Sequence, residues 1–233
     1  MECFISKFSD KGGRENNEDY VAIAENIFVL ADGLGGHSNG ETASRVAVEF
    51  IINNAHELRD IGNDSMQEMI TAVNTEVYNK RIGNMATTVV AAFVKNDYFN
   101  YLNVGDSRLY YFRNNKLYLQ SKDHSVTQAC VDIGEITAKE IRFHPDRNKL
   151  TKVLGLKNEI ICNRKFIPFK MKKNDAFCLC SDGFWEYVFE EDMELLLKES
   201  RTPQEWLNSM LEKVMQRVED NNDNLSAICV YVK

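Results

Sequence analysis

The chain has 233 residues, 44% of them hydrophobic and 27% charged, and a formal net charge of -7. This is the composition of an ordinary globular protein long enough to bury a substantial core. The acidic balance argues against a nucleic-acid binder, and no apolar run approaches the roughly 20 residues that span a bilayer.

Strand-like runs at 4–8, 20–24 and 27–31 open the chain, the last two joined by a tight Glu25-Asn26 turn. From Glu41 the period becomes helical: Ala43, Val46, Ala47, Phe50, Ile51 and Leu58 share one face, with Ser38 or Asn39 as the cap. A second helix aligns Met66, Met69, Ile70, Val73 and Val77. Residues 87–113 read as a meander, with strands at 88–94, 98–104 and 108–112 and a turn at Asn96-Asp97. Asn114-Asn115 then turns into a strand at 116–120. Residues 125–149 mix short helical stretches with polar loop, and His144-Pro145 stops any helix there. Strands return at 160–169 and 175–180, and the basic run 170–173 before Asn174-Asp175 reads as a solvated hairpin turn. A closing helix over 203–219 turns Leu207, Met210, Leu211, Val214 and Val218 inward, ahead of a last strand at 225–232.

Strands joined by two-residue turns pair antiparallel. Antiparallel sheets with segregated amphipathic helices make an α+β layered domain, not a doubly wound one. Three prolines and no Gly/Ser/Pro-rich break point to a single domain over 1–233. The six cysteines, at 3, 130, 162, 178, 180 and 229, show no CxxC spacing. With no targeting segment visible, they read as reduced, mostly buried thiols of a cytoplasmic protein.

Three acidic motifs stand at the ends of apolar runs: Asp32-Gly33, Ser181-Asp182-Gly183 and Asp223-Asn224. Carboxylates gathered at the edges of buried strands repel one another unless a cation lies between them, and divalent metals on oxygen ligands suggest phosphate chemistry. Without the six motif carboxylates Glu18, Asp19, Asp32, Asp106, Asp182 and Asp223, the net charge would be about -1. Other chemistries lack their signatures. No Gly-Lys-Ser/Thr follows Leu34-Gly35-Gly36, no cysteine has an arginine six residues on, and Gly-Asp occurs only before Ser107-Arg108. Asp123-His124-Ser125 has the composition of a hydrolase triad, but three adjacent residues cannot adopt its geometry, so it reads as structural.

The motifs taken together resemble the metal-dependent protein phosphatase 2C family, specifically its short bacterial members. They run in the family's order: Arg14-Glu15-Asn16-Asn17-Glu18-Asp19, Ala31-Asp32-Gly33 with Gly40-Glu41-Thr42, and Ala86-Thr87-Thr88. Gly105-Asp106-Ser107-Arg108, Asp123-His124-Ser125, Leu150-Thr151 with Leu154-Gly155, Ser181-Asp182-Gly183 and Asp223-Asn224-Leu225-Ser226 follow. The resemblance implies a four-layer α-β-β-α sandwich, two antiparallel sheets flanked by helices, with metals at one sheet edge. It implies hydrolysis of phosphoserine and phosphothreonine in proteins by metal-activated water, with two Mn²⁺ or Mg²⁺ ions and no covalent intermediate.

By the same resemblance Asp32 bridges the metals, Asp182 and Asp223 complete one site, and Glu18 with the carbonyl of Gly33 completes the other. A bare carbonyl ligand would account for glycine at 33, since close backbone approach favours no side chain. Asp19 and Asn224 orient those ligands, Arg14 grips the substrate phosphate, and Asp106 with Glu186 holds a third, weaker metal. Some relatives place a histidine directly after Asp-Gly; this chain has Leu34 there, leaving His37 or a metal-held water as proton donor. Residues 130–149 correspond to a mobile flap beside the site. A monomer acting on phosphorylated proteins and opposing a Ser/Thr kinase is expected, with no nucleic acid or membrane partner. The alternative is a catalytically silent relative that binds phosphoproteins, but such proteins usually lose a bridging carboxylate, and Glu18, Asp32, Asp182 and Asp223 are all present.

Overall fold

The computed structural model describes residues 1–35, 39–157, 160, 167–218 and 221–233. In chain order the first strands are β1 (Cys3–Asp10), β2 (Asp19–Ala24) and β3 (Ile27–Leu34), followed by helices α1 (Asn39–Asn54) and α2 (Asn63–Lys80). Next come β4 (Ala86–Thr87), β5 (Val89–Lys95), β6 (Tyr98–Val104), β7 (Arg108–Arg113), β8 (Lys116–Gln120), helix α3 (Val126–Asp132) and a 3-10 turn (Ala138–Phe143). The chain closes with β9 (Phe169–Lys170), β10 (Ala176–Cys180), α4 (Asp182–Trp185), α5 (Glu190–Glu199), α6 (Pro203–Arg217) and β11 (Leu225–Val232).

Two antiparallel sheets result. One has the order β1-β11-β10-β7-β8, the other β2-β3-β5-β6-β9 with β4 paired to β3. The unbroken apolar run of β3 is explained by burial on both faces. Phe28 and Leu30 point between the sheets, while Val29 and Ala31 point at the helices, and all four are fully buried. Phe28 meets Phe177 of the opposite sheet edge-on, ring centroids 5.1 Å apart. Outside the second sheet, α1 and α2 contribute Ala43, Ala47, Ile51, Met66, Ile70, Val73 and Val77. Each larger aliphatic among them contributes about 1.5–3 kcal/mol of burial free energy. Outside the first sheet, α5 and α6 contribute Met193, Leu197, Trp206, Leu207, Met210 and Val214. Helices, sheet, sheet and helices form the four expected layers.

Five details depart from the sequence reading. The expected meander is split: β5 and β6 pair in one sheet, β7 and β8 in the other, and the chain changes sheets between Val104 and Arg108. Gly105, at φ 96°, makes that change, and a Cβ there would stand 2.6 Å from Cγ2 of Thr88. The basic run 170–173 is likewise no hairpin, because β9 and β10 belong to different sheets. Of the strand expected at 160–169, 161–166 lie outside the described residues, and a strand is seen only at Phe169–Lys170. Helices α4 and α5 were not anticipated. Three consecutive acids open α5, so its two buried residues, Met193 and Leu197, give only one helical repeat to read. The closing helix stops at Arg217.

Candidate metal centre

The ends of both sheets open into one cleft of about 560 Å³. Its walls hold Arg14, Glu18, Asp32, Gly33, Asp106, Asp182, Asp223 and Asn224, together with Glu15, Asn16, Leu34, Gly35, Asn148 and Leu150. Strand ends deliver the carboxylates: Asp32 from β3, Asp182 from the start of α4, and Asp223 from just before β11. Asp106 comes from the sheet-to-sheet crossing.

Hydrogen bonds fix Asp32, Glu18 and Asp19 in place. Asp32 N–H donates to Oγ1 of Thr88 at 3.0 Å, and the Asp32 carbonyl accepts from Thr87 Oγ1 and Thr88 N–H, both at 2.8 Å. Thr88 Oγ1 in turn lies 2.7 Å from Ser107 Oγ. The paired threonines therefore tie Asp32 to the segment that carries Asp106. Asn224 Oδ1 accepts from Glu18 N–H at 2.8 Å, while its amide donates to the carbonyls of Lys11 and Asn16, both at 2.9 Å. Asp19 sits opposite Asp32 in the β2–β3 register and accepts from Ser181 Oγ at 2.8 Å, linking the sheets.

The electrostatics favour a cation. Burial pushes the Asp32 carboxyl well above its usual range, and the neighbouring charges of Asp19 and Asp182 push it further. Burial likewise raises Asp182, with Asp106 and Asp223 adding to it. Asp19 and Asp106 are each pushed up to about 7, chiefly by burial. Glu18 is raised too, against a backbone hydrogen bond from Gly40 that favours its charged form. Oδ1 of Asp182 and Oδ1 of Asp19 are buried without a hydrogen-bond partner. A buried carboxylate oxygen without a donor is costly. A divalent ion would satisfy the Asp182 oxygen and offset the repulsion, and the all-oxygen donor set fits Mg²⁺ or Mn²⁺. Among the described residues, no three His, Cys, Asp or Glu side chains stand as a ready-formed metal-binding group.

Eight of the ten sequence candidates line this cleft: Arg14, Glu18, Asp32, Gly33, Asp106, Asp182, Asp223 and Asn224. Asp19 lies behind it, next to Asp32 and Ser181. Arg14 Nη2 contacts Asp223 Oδ2 at 2.7 Å, with both side chains largely exposed. Glu186 is not among the lining residues, and Arg147 Nε holds its carboxylate at 2.6 Å. His37 and Ser38 lie outside the described residues. Asp123-His124-Ser125 is structural as expected: Asp123 forks onto Arg108 and Ser125 caps α3. The sequence reading missed Asn148 and Leu150 as wall residues, although Leu150 opens the Leu150-Thr151 motif.

A family model described as protein phosphatase 2C matches residues 13–228. The serine/threonine phosphatase stp of Listeria monocytogenes is 32% identical over 238 residues, covering 95% of this chain and 93% of its own. The solved structure of the S. agalactiae serine/threonine phosphatase superposes with a TM-score of 0.86 at 26% identity, covering 100% of both chains. Serine/threonine phosphatase Stp1 from Staphylococcus aureus gives 0.82 at 26% identity, over 100% of this chain and 96% of that one. The chain belongs to the protein phosphatase 2C family, the metal-dependent protein serine/threonine phosphatases.

Proposed function

We propose that the cleft holds two divalent ions, Mn²⁺ or Mg²⁺, and uses them to hydrolyse phosphoserine and phosphothreonine in proteins without a covalent intermediate. When bound, such a pair activates a water for in-line attack and offsets charge on the phosphoryl oxygens. The observation that carries this reading is the cluster of carboxylates, raised first by burial and then by one another's charge, around the partnerless Asp182 oxygen.

Asp32, shared by both ions, would hold them together with Asp182 and Asp223 on one side and Glu18 and the Gly33 carbonyl on the other. Asn224 orients Glu18 through its backbone, and Asp19 stands behind Asp32 as a hydrogen-bond acceptor. Arg14, at the cleft mouth, exchanges its contact with Asp223 for the substrate phosphate, where its planar fork matches two oxygens. Asp106 is available to a third ion; Glu186 joins it only by leaving Arg147.

All of 1–233 serves as one catalytic domain, with 130–149 as a flap beside the cleft that contributes to substrate choice. A monomer in the cytoplasm opposing a Ser/Thr kinase fits the free cysteines and the phosphoprotein substrates. Among the described residues no helix is long and apolar enough to cross a membrane. The silent-relative reading is disfavoured by the intact carboxylate set. The deciding test is phosphate release from a phosphothreonine peptide with Mn²⁺. Wild type should turn over and Asp182→Asn should lose nearly all activity; a wild type without Mn²⁺-dependent release would sink the reading.

A further inference from the structure

Behind the cleft, two buried arginines share one carboxylate. Arg142, from the 3-10 turn at Ala138–Phe143, donates from Nη2 to both carboxylate oxygens of Glu190 at 2.7 and 2.8 Å, with its side chain 5% exposed. Arg108 approaches the same carboxylate at 3.9 Å, forks onto Asp123 at 2.7 and 2.9 Å, and lays its guanidinium 3.4 Å from the centroid of the Trp185 ring. Trp185 is the last residue of α4, the turn that begins at Asp182, and its indole N–H donates to the carbonyl of Asp106 at 2.9 Å. The other arm of Arg142 reaches the same turn, donating to the carbonyl of Trp185 at 2.5 Å and to those of Glu186 and Val188 at 3.4 Å.

One residue of the flap therefore holds the far end of the helical turn that carries Asp182. Through Trp185, that turn also holds the backbone of Asp106. We infer that Arg142 is a positioning residue for the metal centre: its contacts with the α4 carbonyls and Glu190 set where Asp182 and Asp106 present their oxygens. The chemistry requires an arginine. The two amino groups of the guanidinium divide the contacts: Nη2 serves both oxygens of Glu190 while Nη1, held at a fixed separation, caps backbone carbonyls. Lysine keeps the charge but brings one ammonium to contacts that lie on both arms of the fork.

This inference rests on the two-metal reading, and its test separates the two. Mn²⁺ affinity is measured by isothermal titration calorimetry on wild type, Arg142→Met, Arg142→Lys and Glu190→Gln, alongside Trp fluorescence and kcat and KM on a phosphothreonine peptide. Both Arg142→Met and Glu190→Gln should weaken Mn²⁺ binding by up to about tenfold, below the larger losses seen when direct ligand partners are removed. They should lower kcat more than they raise KM and shift Trp fluorescence, while Arg142→Lys falls between. Arg142→Met leaves Glu190 in contact with Arg108 and with Tyr110 OH at 3.3 Å, so the carboxylate is not stranded. Should that variant fail to fold, Glu190→Gln, which preserves shape, decides the matter. Folded variants that lose thermal stability but bind Mn²⁺ as wild type does would overturn the assignment alone. A wild type that binds no Mn²⁺ would overturn both readings.

Discussion

Gly33 and Gly40 meet backbone to backbone. A Cβ on Gly33 would lie 2.2 Å from the carbonyl oxygen of Gly40, and a Cβ on Gly40 would lie 2.7 Å from Oε2 of Glu18. The end of β3 and the start of α1 are thus in contact with no side chain between them. This sharpens the explanation offered for glycine at 33: the close approach that demands it is made by α1 and by the Glu18 carbonyl, 2.7 Å from the same Cβ.

Gly33→Ala should therefore be costly, because the overlapping atoms are backbone on both sides and cannot rotate away. A loss of about 3 kcal/mol or more is expected from urea unfolding, at the upper end of overpacking effects. Gly62→Ala, whose Cβ would meet only the Asp60 side chain at 3.0 Å, should cost no more than about 1 kcal/mol. Equal midpoints for the two variants would contradict the backbone-contact account.

Arg14→Ala should separate stability from turnover. The Arg14–Asp223 pair is 57% and 38% exposed, so its loss should change stability by no more than about 0.5 kcal/mol. Loss of a phosphate-directed fork should lower kcat/KM on the order of 10- to 100-fold, with Arg14→Lys recovering only part of it. Unchanged steady-state kinetics in Arg14→Ala would remove Arg14 from substrate binding.

The clustered carboxylates predict an unusual pH response in metal-free protein. Asp19 and Asp106 titrate at about 7 when folded and near 3.8 when unfolded, so between those values the folded state holds the extra protons. Stability should then fall as pH rises through this window, by about 2 kcal/mol for either group alone between pH 5.5 and 7.5. Asp32 and Asp182, raised for the same reason, act in the same direction. Thermal melts in EDTA should give a higher midpoint at pH 5.5 than at 7.5, and saturating Mn²⁺ should reverse the order because protons compete with the metal. A midpoint in EDTA that climbs with pH would count against the cluster.

Asp123→Asn should test the structural reading of Asp123-His124-Ser125. The Asp123–Arg108 pair is almost completely buried, at 2% and 3% exposure, and breaking such a pair leaves an uncompensated charge. A loss of about 3–5 kcal/mol is expected. Turnover measured well below the unfolding midpoint should remain within a few-fold of wild type. A variant that is stable yet inactive would return Asp123 to the reaction.

Much of the molecule was legible because its signals are local. The continuous apolar run of β3, buried on both faces, and the period-3.6 burial in α1 and α2 each follow from residues adjacent in sequence. The turns Asn96-Asp97 and Asn114-Asn115 adopt the positive φ values their side chains tolerate. Asp32, Asp182 and Asp223 could be picked out because each ends or begins an apolar run. What escaped depends on contacts remote in sequence. The change of sheet at Gly105 rests on which strand β7 meets, namely β10, about 70 residues later. Arg142 and Glu190 carry no motif; only the fold brings them together with Trp185 and Arg108. The exchange of Glu186 with Arg147 is of the same kind, since neither residue announces the other.

The crossing at Gly105 and the Asp19–Ser181 hydrogen bond have a consequence for folding order. Glu18 precedes β2 and Asp32 lies in β3 of one sheet, while Asp182 follows β10 and Asp223 precedes β11 of the other, so neither half of the sandwich carries a full ligand set by itself. Bound ions would act as rivets between two plates, and would gain their hold only once the plates are in register. Metal affinity should therefore report on the mutual alignment of the sheets, with any sliding of one over the other felt first as weakened ion binding.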